Sequence, residues 1–513
     1  MLRNTFQVGF ITFVSRVFGL ARDITIAAVF GVGLHSDAFF VSFKGFDFLR
    51  KLYSEGVLSS SFIPEFTGRM AKEGPKKAFE MANSVLIAVS VLSVCIMGFG
   101  MAAAPFLVNI LAPGFEPYSY SFSLSVLLVR VMMPYTVLIS LLSVCMGVLN
   151  ATGRFTAPAF GPVVLNLTII LFTMWFAGRF DPPILAVASG VTAGGFLQLF
   201  TLVPAIRKSG WFLKTGIRIC HPAVRSVGKK LVPAVIGASA CHINMVTAIF
   251  LGSCLDRGGV SYLYFADRLV QFPVALIAAS FSIVFLPSLS KKAVAGGISG
   301  AGHLMFNAAS LVLFFTIPAA FGLAALREPL VRILFHHGAF GGAAAANTSQ
   351  CLFFFLIGAW AFAGTRLFVT IFYAFSDMNV PFRAGIISIG LNFLLCLVLL
   401  PELGHQGLAL SVSAAGIANF LILLKAVCSF VRIDGKQIIF SACRAIPASV
   451  IMYFCVSVSA GFILDEQTGL LTEILCVTGT VIAGILIYLG IHLVLKSREI
   501  EMMKNMIRKD RNE

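Results

Sequence analysis

The first apolar run of the chain reads FITFVSRVFGLARD over residues 10–23. It is hydrophobic enough for a membrane span, yet it carries Arg16, Arg22 and Asp23. Arg50 and Arg268 stand in similar apolar surroundings. A cation at the bilayer centre costs roughly 2.5–3.5 kcal/mol on insertion scales, so four without partners would cost on the order of 10 kcal/mol. An aqueous cavity that binds an anionic ligand would accommodate all four arginines.

Apolar runs recur along the whole chain of 513 residues, of which 58% are hydrophobic and only 12% charged. A soluble domain carries about 25% charged residues, and a run of about 20 apolar residues spans the hydrocarbon core. We therefore predict an all-α polytopic membrane protein. Its fourteen transmembrane helices are predicted at residues 5–32, 35–63, 79–111, 122–150, 156–178, 183–207, 226–252, 258–289, 303–326, 347–375, 380–400, 405–430, 438–463 and 469–496, numbered here as spans 1 to 14.

Lysines and arginines collect in alternate loops. The loops after even-numbered spans hold most of them, whereas those after odd-numbered spans hold only Arg179, Arg257, Arg327 and Arg332. Cytoplasmic loops are the ones enriched in basic residues, so both termini are predicted to be cytoplasmic. The net charge of +16 is explained by these loops and by the basic tail, and we expect no nucleic-acid partner.

The two halves of the chain repeat each other at an offset of 223 residues. Thr156-Ala157-Pro158 matches Asn379-Val380-Pro381, and Leu185-Ala186 matches Leu408-Ala409. The offset covers six spans, an even number, so both copies share one orientation and a central site is expected between two lobes. The predicted divisions are an N-terminal lobe at 1–218, a C-terminal lobe at 219–436, two additional helices at 437–496 and a basic cytoplasmic tail at 497–513.

The charges inside the spans follow helical spacing. In span 2 they form one stripe, and in span 8 a second stripe has Asp267 beside it. A polar stripe on a spanning helix faces protein or water rather than lipid. The two stripes comprise Asp37, Lys44, Asp47, Lys51 and Glu55 in span 2, and Ser261, Tyr264, Arg268 and Gln271 in span 8.

Internal ion pairing is one interpretation of these charges. Asp23 could neutralise Arg16, and Asp47 or Glu55 could neutralise Lys51. Pairing leaves one cation in excess across spans 1, 2 and 8, where six cations face five acids: Arg16, Arg22, Lys44, Arg50, Lys51 and Arg268 against Asp23, Asp37, Asp47, Glu55 and Asp267. Anion binding is the other interpretation, because the planar fork of arginine suits phosphate oxygens.

Other charged residues are weaker candidates. Arg130 and Arg366 lie in spans 4 and 10, where they could line a lobe. Asp377 and Asn379 could bind a coupling cation, although a turn or capping role is an alternative. No GxxxxGK[ST] or HExxH motif occurs, so we expect a transporter that uses no ATP directly, no metal and no cofactor.

Several motifs resemble the MurJ (MviN) family. They are Ser15-Arg16-Val17-Phe18-Gly19-Leu20-Ala21-Arg22-Asp23, Ser36-Asp37-Ala38-Phe39-Phe40, Glu55-Gly56 with Phe62-Ile63-Pro64, Ala266-Asp267-Arg268-Leu269, Leu286-Pro287-Ser288-Leu289-Ser290, and Pro158-Ala159-Phe160 with Asn166. The resemblance implies the multidrug/oligosaccharidyl-lipid/polysaccharide exporter fold and alternating access. It also implies transport of lipid II, the undecaprenyl-diphosphate-linked disaccharide peptide of cell-wall synthesis, across the bacterial inner membrane.

The resemblance also implies site residues. It assigns substrate binding to Arg16, Arg22, Arg50, Arg268, Asp37 and Ser261, and a gating role to the span 2 acid Glu55. From their positions beside these charges, we also expect Asp23, Lys44 and Gln271 to take part in gating or charge pairing. Two positions depart from the family pattern: Gln271 stands where an acid is frequent, and Lys44-Gly45-Phe46-Asp47 replaces a Lys-x-Pro-Asn pattern.

Three alternative functions compete with lipid II transport. A cation-coupled drug antiporter of the same fold is disfavoured by a basic cavity. A flippase for another polyprenyl-diphosphate oligosaccharide would need the same cations. A membrane enzyme acting on polyprenyl phosphates would need an acidic or nucleophilic cluster, which the sequence does not display.

Overall fold

A computed structural model describes residues 2–54, 57–211, 224–225, 244–294, 302–375, 377–431, 436–463 and 469–504. Helices make up nearly all of these residues, and these ranges contain no β-strand. The prediction of an all-α protein is therefore confirmed. The structure does not describe the side chains of Asp47, Arg50 and Lys51 or any part of Glu55.

Helices occupy the described part of every predicted span. Proline and glycine mark several interruptions, such as Gly404 (φ 53°), which separates spans 11 and 12. The helix bounds are Leu2–Phe30 in span 1, Leu34–Ser54 and Val57–Glu73 beginning in span 2, Pro75–Ala102 and Ala104–Leu111 in span 3, Tyr120–Met132 and Pro134–Ala151 in span 4, Thr156–Phe176 in span 5, Leu185–Lys208 in span 6, 244–252 in span 7, Gly259–Val294 in span 8, Gly302–Ala325 in span 9, Arg327–Phe335 in the predicted loop after span 9, Gly342–Ala374 in span 10, Asn379–Val431 across spans 11 and 12, Lys436–Ile463 in span 13, and Leu470–Val494 in span 14.

By length and composition, nine helices within the described ranges can cross a membrane. Leu34–Ser54 of span 2 is absent from these nine, and its sequence carries Asp37, Lys44, Asp47, Arg50 and Lys51. The charged stripe therefore lowers the mean hydropathy of its own span, which is why this helix is not among the nine. The total of fourteen transmembrane helices is consistent with these helices and stays a prediction.

Equivalent helices begin at equivalent positions of the predicted repeat. Thr156 and Asn379 both begin helices, and 379 − 156 = 223. Ala104 and Arg327 also begin helices, and 327 − 104 = 223. These paired starts support the internal repeat that was predicted from sequence identity alone.

The described chain divides into two compact units. Unit 1 is Met1–Ser261 with Gly338–Phe340, and unit 2 is Tyr262–His337 with Gly341–Glu513. In unit 1, span 1 packs against span 5, and span 5 packs against span 6. The lobe limits at residues 218 and 436 stay predictions.

In unit 2, spans 13 and 14 pack onto span 9 and share one hydrophobic core with it. The hydroxyl of Tyr488 donates to the backbone oxygen of Phe314 at 2.9 Å inside this core. At the start of span 14, the buried Glu473 accepts from Nε and Nη2 of Arg332 at 2.7 and 2.6 Å. The last two spans are therefore integral to unit 2. The core comprises Phe314, Leu326, Ala448, Met452, Val456, Ala460, Val477 and Tyr488.

Candidate functional site

A buried ion pair holds the second arginine of span 1. The guanidinium of Arg22 donates from Nε and Nη2 to Oδ1 of Asp23, at 3.0 and 2.7 Å. Its Nη1 donates to Oδ1 of Asn166 in span 5 at 3.1 Å, and Nδ2 of Asn166 donates to the backbone oxygen of Ser15 at 3.3 Å. Arg22 is only 5% exposed and Asp23 is fully buried. The predicted charge-pairing residue and a predicted substrate ligand are therefore in direct contact.

This arrangement fixes the orientation of the Arg22 guanidinium within the protein. Burying one ion costs several kcal/mol, which a partner with good geometry and further hydrogen bonds can offset. Phe43 adds a cation–π contact, with its ring centroid 5.5 Å from the guanidinium carbon. The sequence did not predict a role for Asn166. Its presence in one of the family motifs was the only feature of the sequence that pointed to it.

Two other predicted site cations of unit 1, Arg16 and Lys44, are less deeply buried than Arg22. They are half-buried, on the first and second spans. The side chain of Arg50 lies outside the described residues, and so does the whole of Glu55. The predicted roles of these four residues stay predictions.

Asp37 binds the beginning of span 8. Its Oδ2 accepts from the backbone N–H of Gly258 at 2.6 Å, and its Oδ1 accepts from the N–H and hydroxyl of Ser261 at 2.9 and 2.6 Å. Gly258 precedes the helix Gly259–Val294, so the carboxylate satisfies N–H groups that have no partner within the helix. The positive end of the helix dipole also favours an anion there. We call these three hydrogen bonds the Asp37 contact.

Two predicted substrate ligands, Asp37 and Ser261, thus bind each other. Both are buried, and Ser261 is fully so. An anionic substrate would be repelled by the carboxylate and would find the Ser261 hydroxyl already donated. In this conformation Asp37 joins span 2 to the backbone at the beginning of span 8, and the polar atoms of Asp37 and Ser261 bind each other.

A small cavity adjoins the Asp37 contact. Its volume is about 190 Å³, below the roughly 300–1,000 Å³ of pockets that bury drug-sized ligands. Three acids and one arginine are among the residues that line it: Asp37, Glu116, Asp256 and Arg257. The cavity is too small and too acidic to receive a large anionic headgroup.

Two glycines permit close backbone approaches within unit 1. The N–H of Gly114 donates to Oγ of Ser253 at 3.1 Å, and a Cβ on Gly114 would lie 2.2 Å from the Ser253 carbonyl oxygen. Gly338 has φ +60°, and a Cβ there would lie 2.2 Å from the oxygen of Ala28. The loop that contains Gly114 therefore packs directly on the backbone that precedes the Asp37 contact.

Unit 2 carries a second polar group on span 8. The guanidinium of Arg268 lies over the ring of Tyr264, 5.7 Å from its centroid. Nε2 of Gln271 donates to Oδ1 of Asp267 at 3.1 Å, and Oε1 of Gln271 accepts from Nη2 of Arg366 in span 10. Arg366, a weaker candidate in the sequence, is thus joined to a predicted gating residue. The spacing of four residues indicates the bond between Asp267 and Gln271, because such residues are neighbours on a helix. Nothing in the sequence indicated the bond between Gln271 and Arg366.

Asp377 and Asn379 form a turn before span 11. Oδ1 of Asp377 accepts from the backbone N–H of Asn379 at 3.0 Å and of Val380 at 3.5 Å. Aspartate commonly binds the first N–H groups of a helix in this way. A cation site at these residues stays a prediction. Within the described ranges, no group of three or more His, Cys, Asp or Glu side chains could hold a metal ion.

Comparison with known proteins gives consistent matches. The family model described as lipid II flippase MurJ matches residues 26–480. A lipid II flippase MurJ from Burkholderia cenocepacia is 32% identical over 431 residues, which are 82% of this chain and 83% of that protein. The match therefore covers most of both chains.

Solved structures resemble this chain over similar lengths. A lipid II flippase MurJ in an inward closed conformation superposes with a TM-score of 0.81 at 27% identity, over 95% of this chain and 98% of that one. A multidrug resistance transporter of the MATE family, from the MOP superfamily, superposes with a TM-score of 0.65 at 16% identity, over 82% and 96%. At 16% identity the second likeness shows the fold alone.

Proposed function

The chain belongs to the MurJ family of lipid II flippases, and from that premise we propose that it carries lipid II from the cytoplasmic to the outer leaflet. It is a multi-pass protein of the bacterial inner membrane and a transporter rather than an enzyme. Its substrate is a lipid-linked precursor of peptidoglycan, so the process it serves is cell-wall synthesis and the maintenance of cell shape. Membrane lipids are its other partners.

The family match over residues 26–480 is the observation that carries this proposal, and the charges of the spans agree with it. A diphosphate has several anionic oxygens, and arginine binds such oxygens with two parallel N–H groups. Arg16, Arg22 and Arg268 are the predicted ligands whose side chains the structure describes. Arg50 is the fourth predicted ligand, in span 2.

Asp23 and Asn166 hold the Arg22 guanidinium in a fixed orientation, in which it can bind phosphate oxygens. Without a substrate, a buried guanidinium needs an acid to offset its desolvation. When the diphosphate arrives, its oxygens compete with Asp23 for the same N–H groups. Asp23 thus sets how strongly Arg22 binds phosphate, because a tighter ion pair leaves less interaction for the substrate.

The Asp37 contact reports which side of the carrier is closed. A flippase must expose its site to one side of the membrane and then to the other. Three hydrogen bonds to a buried carboxylate, next to the close packing of Gly114, support the inference that this end of the carrier is closed. We expect these bonds to break and re-form once in every transport cycle, with Lys44, Glu55 and Gln271 assisting in that change.

Orientation and energy coupling complete the proposal. The basic loops after even-numbered spans support cytoplasmic termini. The closed end then faces outward, since the Asp37 contact and Gly114 lie at or beside loops that follow odd-numbered spans. The membrane potential or a cation bound near Asp377 and Asn379 would return the empty carrier to its starting conformation.

The proposal is tested by complementation. The chain is expressed in a strain depleted of its lipid II flippase, and headgroups on the outer surface are measured with a membrane-impermeant reagent. We expect the chain to restore exposure, and Ala at Arg16, Arg22, Arg50 or Arg268 to lower it at least about tenfold, with Arg383→Ala as control. Normal exposure in all four variants, or none with the unaltered chain, would refute it. Competition by another polyprenyl-diphosphate oligosaccharide would identify the alternative substrate.

A further inference from the structure

The loop that precedes span 10 contributes three residues to unit 1. Gly338–Phe340 belong to this unit, although the chain on both sides of them belongs to unit 2. The backbone N–H of Ala339 donates to the carbonyl oxygen of Ala28 at 2.8 Å, and Phe340 is fully buried. Ala28 lies in the last turn of the helix Leu2–Phe30, where carbonyl groups have no partner within the helix. The loop therefore caps the end of span 1, and a buried ring holds it there.

Two glycines allow this close approach of the backbones. Gly338 has φ +60°, and a Cβ at this position would lie 2.2 Å from the oxygen of Ala28. Gly31 has φ +62°, and a Cβ there would lie 2.3 Å from the oxygen of Ala339. Both positions combine a left-handed backbone with a contact that leaves no room for a side chain. We call the contact of Gly338 and Ala339 with Ala28 and Gly31 the Gly338 latch.

An equivalent contact occurs at the equivalent place of the other half of the repeat. Gly114 lies in the loop after span 3, and 338 − 114 = 224, within one residue of the repeat offset. Its N–H donates to Oγ of Ser253 at 3.1 Å, and a Cβ at Gly114 would lie 2.2 Å from the Ser253 oxygen. Ser253 directly follows the helical residues 244–252 of span 7, the first span of the second half. We call this contact the Gly114 latch.

The two latches are exchanged between the halves of the repeat. In each latch, the loop after the third span of one half binds the end of the first span of the other half. The one-residue difference in offset has an identifiable place, because the helices Ala104–Leu111 and Arg327–Phe335, which precede the two glycines, contain 8 and 9 residues. Asp37 and Ser261 are also 224 residues apart, so their bond joins equivalent positions as well. A parallel repeat is expected to produce such paired contacts.

Both latches lead to the Asp37 contact. At the Gly338 latch, the carbonyl oxygen of Gly31 accepts from the hydroxyl of Ser36 at 2.7 Å, and Ser36 immediately precedes Asp37. At the Gly114 latch, Ser253 begins the loop that supplies the N–H of Gly258 to Asp37. Loosening one latch therefore frees one side of the Asp37 contact, and loss of that contact frees the other side.

We propose that the Gly114 and Gly338 latches form a symmetric conformational device that opens in one concerted step with the Asp37 contact. Each latch consists of one hydrogen bond between the halves of the repeat and one close backbone contact, and its residues carry no charge. Gly114, Gly338 and Ala339 are exposed, so water can replace both hydrogen bonds when the latches open. This inference rests on the proposed function, because it assigns the latches to the end of the carrier that the Asp37 contact closes.

Hydrogen exchange in the purified full-length chain tests whether the latches open together. The reporters are the amides of Ala339 and Gly114, because each donates across one latch. We expect Gly338→Ala to accelerate exchange at both reporters at least about tenfold, since the added Cβ must displace the loop. The matched control is Gly153→Ala. Gly153 has a similarly left-handed backbone, with φ +77°, but a Cβ there meets no atom within 4 Å, so exchange at both reporters should stay unchanged.

The reporter in the unaltered latch distinguishes concerted from independent opening. Acceleration at Ala339 alone in Gly338→Ala, or at neither reporter, overturns the proposal. The reciprocal variant, Gly114→Ala, should accelerate exchange at Ala339 by a similar factor. Equal acceleration at the amide of Arg154, which donates within one half of the repeat, would show general destabilisation and would also overturn it.

A reversible bridge tests whether the Gly338 latch must open during transport. Cysteines replace Ala28 and Ala339 in a cysteine-free variant, and a short bis-methanethiosulfonate reagent joins them in cells that depend on this chain. We expect bridging to lower the exposure of headgroups at least about tenfold and a reductant to restore it. Either single cysteine, treated in the same way, should transport normally.

The two measurements separate the latches from the transported substrate. Normal headgroup exposure with the bridge in place overturns the proposal. An absence of exposure with the wild type overturns the proposed function instead. The exchange measurements require no transport, so they then still test the latches.

Discussion

The hydroxyl of Ser261 lies 2.6 Å from Oδ1 of Asp37, although 224 residues separate them in the chain. Together with two backbone N–H groups, this hydroxyl surrounds a carboxylate that is only 4% exposed. The second span is thereby joined to the first turn of the eighth. A contact of this kind can stabilise one conformation of a carrier and must be lost in another.

Asp37→Asn should weaken this contact. The amide replaces one carboxylate oxygen by an NH2 group that opposes a backbone N–H, at a cost of about 1–3 kcal/mol. Hydrogen exchange at the amides of Gly258 and Ser261 should accelerate about tenfold or more.

Asp256→Asn is the matched control for that experiment. Asp256 lines the same small cavity but is exposed. Its replacement should leave exchange at Gly258 and Ser261 unchanged. Equal acceleration in both variants would show that the general loss of negative charge, and not the Asp37 contact, protects these amides.

Asp23→Ala should destabilise the protein strongly. It leaves the buried Arg22 without its acid, and breaking a buried pair on one side costs about 3–5 kcal/mol. Thermal unfolding in detergent should show a large fall in melting temperature.

Replacing both partners separates stability from transport. Arg22→Leu combined with Asp23→Leu removes both charges of this buried pair, so the melting temperature should recover most of the loss. Exposure of headgroups on the cell surface should remain low, because a phosphate-binding cation is gone. A double variant that restores stability and also transports normally would contradict the role of Arg22.

Much of this architecture could be predicted from the sequence. Apolar runs and their breaks are local properties, so helices were predicted wherever the structure describes a span, and the family motifs singled out Asp37 and Ser261. The partners of these charges could not be predicted. Asn166 reaches Arg22 across 144 residues, and such a contact depends on how helices pack rather than on spacing along the chain.

The same reason explains why the bond between Arg366 and Gln271 was not predicted. A lone arginine in an apolar helix has no local pattern that indicates its partner. Gln271 was noted because it departs from the family pattern, yet the 95 residues between it and Arg366 concealed their bond. The structure therefore shows a contact of Gln271 that its departure from the family pattern did not indicate.

Gly114→Ala should disturb the closed end of unit 1. The added Cβ would lie 2.2 Å from the Ser253 carbonyl oxygen, so the loop must move. The melting temperature should fall, and exchange at Ser253 and Cys254 should accelerate. Gly98→Ala is the control, because a Cβ at Gly98 meets no atom within 4 Å. Identical behaviour of the two variants would argue against close packing at Gly114.

Impermeant thiol labelling should establish the orientation of the chain. In a cysteine-free variant, a cysteine at the exposed position Glu116 should react in intact cells. A cysteine at the exposed position Lys208 should react only after the membrane is permeabilised. The opposite pattern would place the termini outside and would contradict the prediction from basic loops.

The central claim is that cations of the spans bind a diphosphate, and equilibrium binding of undecaprenyl diphosphate to the purified chain tests it most directly. We predict that Arg16→Gln and Arg268→Gln each weaken binding at least about tenfold while the melting temperature stays close to that of the wild type. Affinities equal to the wild-type value in both variants would contradict the claim.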